Sequence, residues 1–319
     1  MEDYYSDVPP WNNRRNSVTR VVIENGVTRI GDYAFVGCGN LTDVTIPDSV
    51  TTIGENAFYY CTGLTGVVIP GSVTAIGDGA FSDCGGLISV TISDGVKTIG
   101  DSAFSSCSSL THVDIPDSVT TIGGAAFSYC EGLTAVTIPD SVTAIGASAF
   151  TYCSSLTGVA IPGSVTSIGG YAFANCGSLT VVTVPDSVAS IGAGAFLGCG
   201  SLTAVNVASG NANYASVDGV LFSADQTLLH TCPAGKVGTY RIPNSVTGIA
   251  ENAFVGCGRL TAVTIPNSVA RIEFSAFLDC DSLTDVYYGG SASQWEQIDI
   301  GGLNDNLLNA AVYYNSAGN

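Results

Sequence analysis

Positive charge is what this chain has least of. Nine lysines and arginines face 27 aspartates and glutamates, a net charge of -18, and such a field repels phosphate backbones and anionic bilayer surfaces. Neither nucleic acid binding nor membrane insertion is expected. Histidine is scarcer still, with only His112 and His230, which leaves little for imidazole chemistry. No apolar run approaches the ~18 residues that would cross a bilayer as a helix. The opening Met1-Glu-Asp-Tyr-Tyr-Ser-Asp7 lacks the basic and apolar regions of a secretion signal. That reads either as a cytosolic protein or as a segment of a longer precursor.

What is present is regular. Hydrophobic residues make up 46% of the chain, charged residues only 11%, and there are 39 glycines, the composition of a packed, turn-rich protein. Cysteine marks a beat of 23 residues: Cys38, Cys61, Cys84, Cys107, Cys130, Cys153, Cys176 and Cys199, then Cys257 and Cys280. A unit this short has no core of its own and must bury its apolar side against the next unit. The predicted fold is therefore a right-handed solenoid, mainly β, of about eleven repeats with one atypical.

One unit shows how. In Leu64-Thr-Gly-Val67-Val-Ile69, Val67 and Ile69 are two apart and share the inward face of a strand, while Gly66 and Val68 look outward. Pro70 cannot donate to a sheet ladder and ends the strand in a turn. Val73 and Ile76 return inward, and Ala80-Phe81-Ser-Asp-Cys84-Gly-Gly-Leu87 has apolar residues three apart, which suits one turn of α or 3₁₀ helix. One strand per unit is expected, with little helix outside the last 30 or so residues. The phenylalanine of each unit (Phe35, Phe58, Phe81 and onward to Phe277) should form a buried stack, and the cysteine beside it a buried, reduced thiol. Cys232, out of step with the others, is expected to be the accessible one.

By the same template, residues 1–20 form an N-terminal flank and 21–206 eight regular repeats. Residues 207–241 are an atypical repeat carrying a β-hairpin around Ser223-Ala-Asp-Gln226; 242–287 are two more regular repeats and 288–319 a C-terminal cap. The repeated I-P-x-S-V-T-x-I-G-x-x-A-F-x-x-C-x-x-L-T-x-V resembles the BspA-type (TpLRR) leucine-rich repeats of bacterial surface proteins and some parasitic protists. The likeness covers residues 18–315 and extends to Pro10-Trp11-Asn12 and to Val286-Tyr-Tyr-Gly-Gly-Ser-Ala-Ser-Gln-Trp295. It implies an extracellular or cell-surface binding or adhesion module, and the missing secretion signal and anchor then point to a fragment.

Chemistry-bearing residues are few. His230 and Cys232 share one strand face at a spacing of two, the one pattern open to nucleophilic catalysis, but they read as a hairpin arm. Asp48, Asp94, Asp117, Asp140 and Asp186 recur at one position where a carboxylate ladder could hold calcium. Gly71, Gly163, Asn244 and Asn267 replace them, so a turn is the requirement. No cofactor is expected. Outward strand positions are small and change from unit to unit, a shallow floor for an extended polymer. On it, Thr91, His112, Asp114 and Thr137 are the candidate ligand contacts, because His112 and Asp114 are its only titratable pair. Tyr60, Tyr129 and Tyr152 make a second, aromatic candidate surface. The expected reading is a monomeric, non-enzymatic module for a protein or glycan ligand. A rigid spacer is the alternative, and a calcium-binding or hydrolytic solenoid a remote third.

Overall fold

The computed structural model describes residues 2–4 and 9–316. It is a parallel β-solenoid of about thirteen turns. Successive units' strands pair in register within sheets of two to five strands: Gly66–Ile69 lies against Ser89–Ile92 with Val67 opposite Val90 and Ile69 opposite Ile92. Val67 and Ile69 are buried and Val68 exposed, as the two-residue alternation of a strand requires. The ladder is two rungs longer than the eleven units, since Arg20–Val22 pairs below Asp43–Thr45 and Ala311–Tyr313 above Asp285–Tyr288.

Each unit carries a second strand that the sequence did not announce. The two-residue segments Arg29–Ile30, Thr52–Ile53, Ala75–Ile76 and their successors to Ser190–Ile191 form an eight-stranded parallel sheet of their own. The segment with phenylalanine and cysteine is not helical either. Asn56 and Tyr60 flank Phe58 with φ of 50° and 59°, and two left-handed residues so close break any helix. Alternate amides then point along the solenoid: Phe58 N–H donates to Ala80 O at 2.8 Å, while Cys61 N–H returns to Phe58 O at 3.2 Å.

Polar side chains extend these ladders. Most threonines after the unit's leucine bond back to the equivalent position of the preceding unit, Thr134 Oγ1 to Thr111 O at 3.1 Å and Thr203 Oγ1 to Thr180 O at 3.1 Å. Most turn serines also reach back to the preceding unit, Ser164 Oγ to Val142 O at 2.7 Å, whereas the buried Ser72 Oγ has no partner among the described residues. Every cysteine is free and buried, and eight of them donate S–H to a phenylalanine carbonyl of the preceding unit, Cys84 to Phe58 O at 3.2 Å.

The phenylalanine stack runs unbroken from Phe35 to Phe196, with rings 5.4 Å apart and 7° from parallel at Phe104 and Phe127. Trp11 closes it at 5.4 Å from Phe35, its indole N–H on Ala34 O at 2.8 Å. It does not continue to Phe254. Residues 214–231 instead form an antiparallel meander of Tyr214–Val217, Val220–Ser223 and Leu228–Thr231. Its middle strand is buried on both sides: Leu221 belongs to the core that begins at Ile23, and Val220 and Phe222 to a second core that ends at Leu307. Phe254 and Phe277 restart the stack there at 4.5 Å.

The meander also explains Cys232, which is 2% exposed rather than accessible. Its N–H is held by Ala253 O at 2.7 Å, which turns it inward below Cys257, whose sulfur lies 3.7 Å from Cys232 O. Two residues of sequence offset are absorbed by the meander, so the thiol packs within the second core.

Candidate functional site

Parallel pairing places the outward strand residues in two straight rows. Thr91, Asp114 and Thr137 stand opposite one another on three successive strands, and His112 stands between Ser89 and Ala135 in the next row. All four candidate residues are exposed. His112 Nε2 lies 2.8 Å from Asp114 Oδ1, so the pair the sequence singled out is joined. Two rungs away, where Gly66 contributes no side chain, this face sinks into a hollow of about 470 Å³ lined by Asp43, Thr45, Val68, Ser89 and Thr91. Val68 stands exposed at its rim, and Asp43 is bridged to Arg20 at 3.0 Å.

The aromatic surface divides into two parts. The Tyr129 and Tyr152 rings stack at 4.6 Å, 9° from parallel, whereas among the described residues the Tyr60 ring meets the ring of its neighbour Tyr59 alone, tilted at 6.2 Å. Tyr60, Tyr129 and Tyr152 all have φ between 57° and 59°, at the position held elsewhere by Gly37, Gly198 and Gly256. A side chain with a Cβ is disfavoured there by about 1–2 kcal/mol.

The catalytic alternative finds no geometry. His230 packs edge-on against Tyr214 at 5.4 Å, burial lowers its pKa, and among the described residues no hydrogen bond joins it to Cys232. Burial likewise pushes the repeat thiols up, Cys199 to about 12, away from the nucleophilic thiolate. Asp48 and its equivalents occupy tight turns, as in Val50 N–H to Pro47 O at 3.0 Å. Among the described residues no three His, Cys, Asp or Glu side chains converge to hold a metal ion, and no helix is long and apolar enough to cross a membrane.

One feature of the strand face escaped the sequence reading. Tyr287 and Tyr313 stand in register on the last two strands, with rings stacked at 5.1 Å. The carboxylate of Asp285 beside the Tyr313 hydroxyl raises the pKa of Tyr313. The signal was there in the twin Val286-Tyr-Tyr and Val312-Tyr-Tyr, but their spacing of 26 hides it from a search at 23.

Comparison with known proteins agrees with this geometry. The pattern of the family described as BspA type leucine rich repeat region matches residues 13–134, 121–223 and 234–298, in six copies. Among solved structures, a leucine-rich cell surface protein of Faecalibacterium prausnitzii is 30% identical, with 88% of this chain and 90% of that one covered and a TM-score of 0.56. A leucine-rich repeat protein of Bacteroides ovatus has the same fold at 23% identity, covering 94% of this chain and 84% of that one, with a TM-score of 0.63. No curated protein sequence matches the chain. Repeat pattern, register and solved relatives lead to one assignment: the chain belongs to the BspA-type leucine-rich repeat family.

Proposed function

We propose that this chain is a non-enzymatic binding module of a cell-surface or secreted protein, and that it recognises an extended protein or glycan along its strand face. The observation that supports this most is the contrast within each unit. Inward positions repeat as Val, Ile, Phe and Cys from end to end, while the outward rows change from Asp43 and Thr45 to Gly66 and Val68 to His112 and Asp114. Packing accounts for the first set and leaves the second free to meet a partner. The ligand would run from the Gly66 hollow across Thr91 and the His112–Asp114 pair to Thr137, with polar contacts set about 4.8 Å apart by the rungs. Tyr60, Tyr129 and Tyr152 would form a separate contact surface. Placement at the cell surface rests on the relative described in those words.

A rigid spacer is the second reading, favoured by the unbroken stack from Phe35 to Phe196. Arrays of host proteins and glycans probed with the labelled chain distinguish the two. A partner retained by the wild type and lost by the His112→Ala, Asp114→Ala double variant upholds recognition at this face. Partners indifferent to that variant and to Tyr129→Ala place recognition off both of these surfaces, and no partner at all leaves the spacer.

A further inference from the structure

Beyond the meander the strand face changes character. Arg241, Thr264, Tyr287 and Tyr313 stand in register on four successive strands. The outward threonines of the earlier units, Thr45, Thr91 and Thr137, are exposed. Thr264 is only 5% exposed, because Arg241 rises on one side of it and Tyr287 on the other. The result is a narrow trough with a threonine floor, a guanidinium wall and an aromatic wall. Tyr313 doubles the aromatic wall and stays 47% exposed on the last described strand of the ladder. At the Ile265 end the trough opens into a hollow of about 360 Å³ lined by Asn244, Asn267 and Asn315. Among the described residues, no protein group engages the side-chain amides of these three asparagines or the guanidinium of Arg241.

This set of groups selects a ligand class. A pyranose ring has an apolar C–H face that packs on an aromatic ring, and a rim of hydroxyls that both donate and accept. Amides, which also do both, match that rim. A peptide adding as an extra strand is excluded beside Tyr287, since Asp285–Tyr288 is already paired on both edges. Sulfated or uronate polymers are opposed by the net charge of -18 and by Asp285 beside the Tyr313 hydroxyl. We infer that Arg241, Asn267, Tyr287 and Tyr313 form a binding site for a neutral oligosaccharide, with a sugar ring against the tyrosines and its hydroxyls on the asparagine amides. This site is separate from the His112–Asp114 face and does not depend on it.

Isothermal titration calorimetry of the whole chain against cellohexaose, xylohexaose, mannohexaose and chitohexaose, with polygalacturonate as the anionic control, tests it. At least one neutral hexasaccharide binds; Tyr287→Ala and Tyr313→Ala each weaken it about ten-fold or more, and Asn267→Ala about three-fold. The His112→Ala, Asp114→Ala variant binds it as the wild type does, which separates this site from the other face. Asn267 is an exposed turn residue, so its variant keeps the test valid if a tyrosine variant loosens the last strand, as a thermal melt would show. No binding of any neutral hexasaccharide, binding indifferent to Asn267→Ala and to both tyrosine variants, or a preference for polygalacturonate overturns the inference.

Discussion

The sulfur of Cys130 lies 3.1 Å from the carbonyl oxygen of Phe104, one unit back, and its S–H donates to it. The same bond joins Cys107 to Phe81 and Cys153 to Phe127, each at 3.2 Å. A thiol here is both a small apolar filler beside the ring stack and a second donor to a carbonyl that already accepts a backbone amide, Cys107 N–H to Phe104 O at 3.3 Å.

Such thiols should be silent in the native state. With all eleven cysteines free and buried, a thiol reagent is expected to modify none of them in the folded chain and all of them in guanidinium chloride. Fast native labelling of Cys232 would show that the meander opens.

Alkali should unfold the chain steeply. The folded thiols hold their protons well above the ordinary value, Cys199 to about 12 and Cys130 in the same direction, both chiefly through burial. A raised folded pKa gives stability that is complete below the unfolded pKa and lost as pH rises past it, here above pH ~9. Each thiol contributes a slope of about 1.4 kcal/mol per pH unit there. Denaturant midpoints measured from pH 7 to 11 should fall sharply above 9, and Cys130→Val should lessen the fall by about one thiol's share.

Removing one ring from the stack should be costly. Phe127 lies between Phe104 at 5.4 Å and Phe150 at 5.5 Å and is fully buried. Phe127→Ala is expected to cost about 3–5 kcal/mol, read from urea unfolding; a loss under about 1 kcal/mol would contradict the packing.

The left-handed tyrosines should respond differently to one substitution. Tyr60, 54% exposed and without a stacked ring on the next rung, bears the full backbone penalty, so Tyr60→Asn should stabilise by about 0.5–1 kcal/mol. At Tyr129 the 4.6 Å stack with Tyr152 is worth about as much as the penalty. Tyr129→Asn should therefore leave the thermal midpoint unchanged or lower it.

Which parts of this were legible in the sequence follows from what repeats at 23. Leu64, Val67, Phe81 and Cys84 recur in every regular unit, and Ile69 in most, and their spacing gave the ladder, the ring column and the buried thiols. Thr52–Ile53 and its equivalents are too short for alternation to register, so the second sheet stayed hidden. The left-handed backbone was written in Gly37, Gly198 and Gly256, but Tyr60 and Tyr129 at the same place masked it. Cys232 and Tyr313 were misjudged or missed for one reason: the meander and the final rung shift the count away from 23. The His112–Asp114 pair was found because both lie on one three-residue strand.

The cross-unit bonds also bear on how such a gene changes length. From Phe58 to Phe173 each unit offers its follower the same ring, the same carbonyl for a thiol and the same amides. Deleting or duplicating 69 bases joins surfaces that already fit. Recombination between near-identical units can thus lengthen or shorten the first array in steps of one rung, about 4.8 Å, without a compensating mutation. The meander around Val220–Ser223 has no such twin, so the arrangement of Arg241, Tyr287 and Tyr313 beyond it is carried along unaltered while the arm that holds it varies in reach.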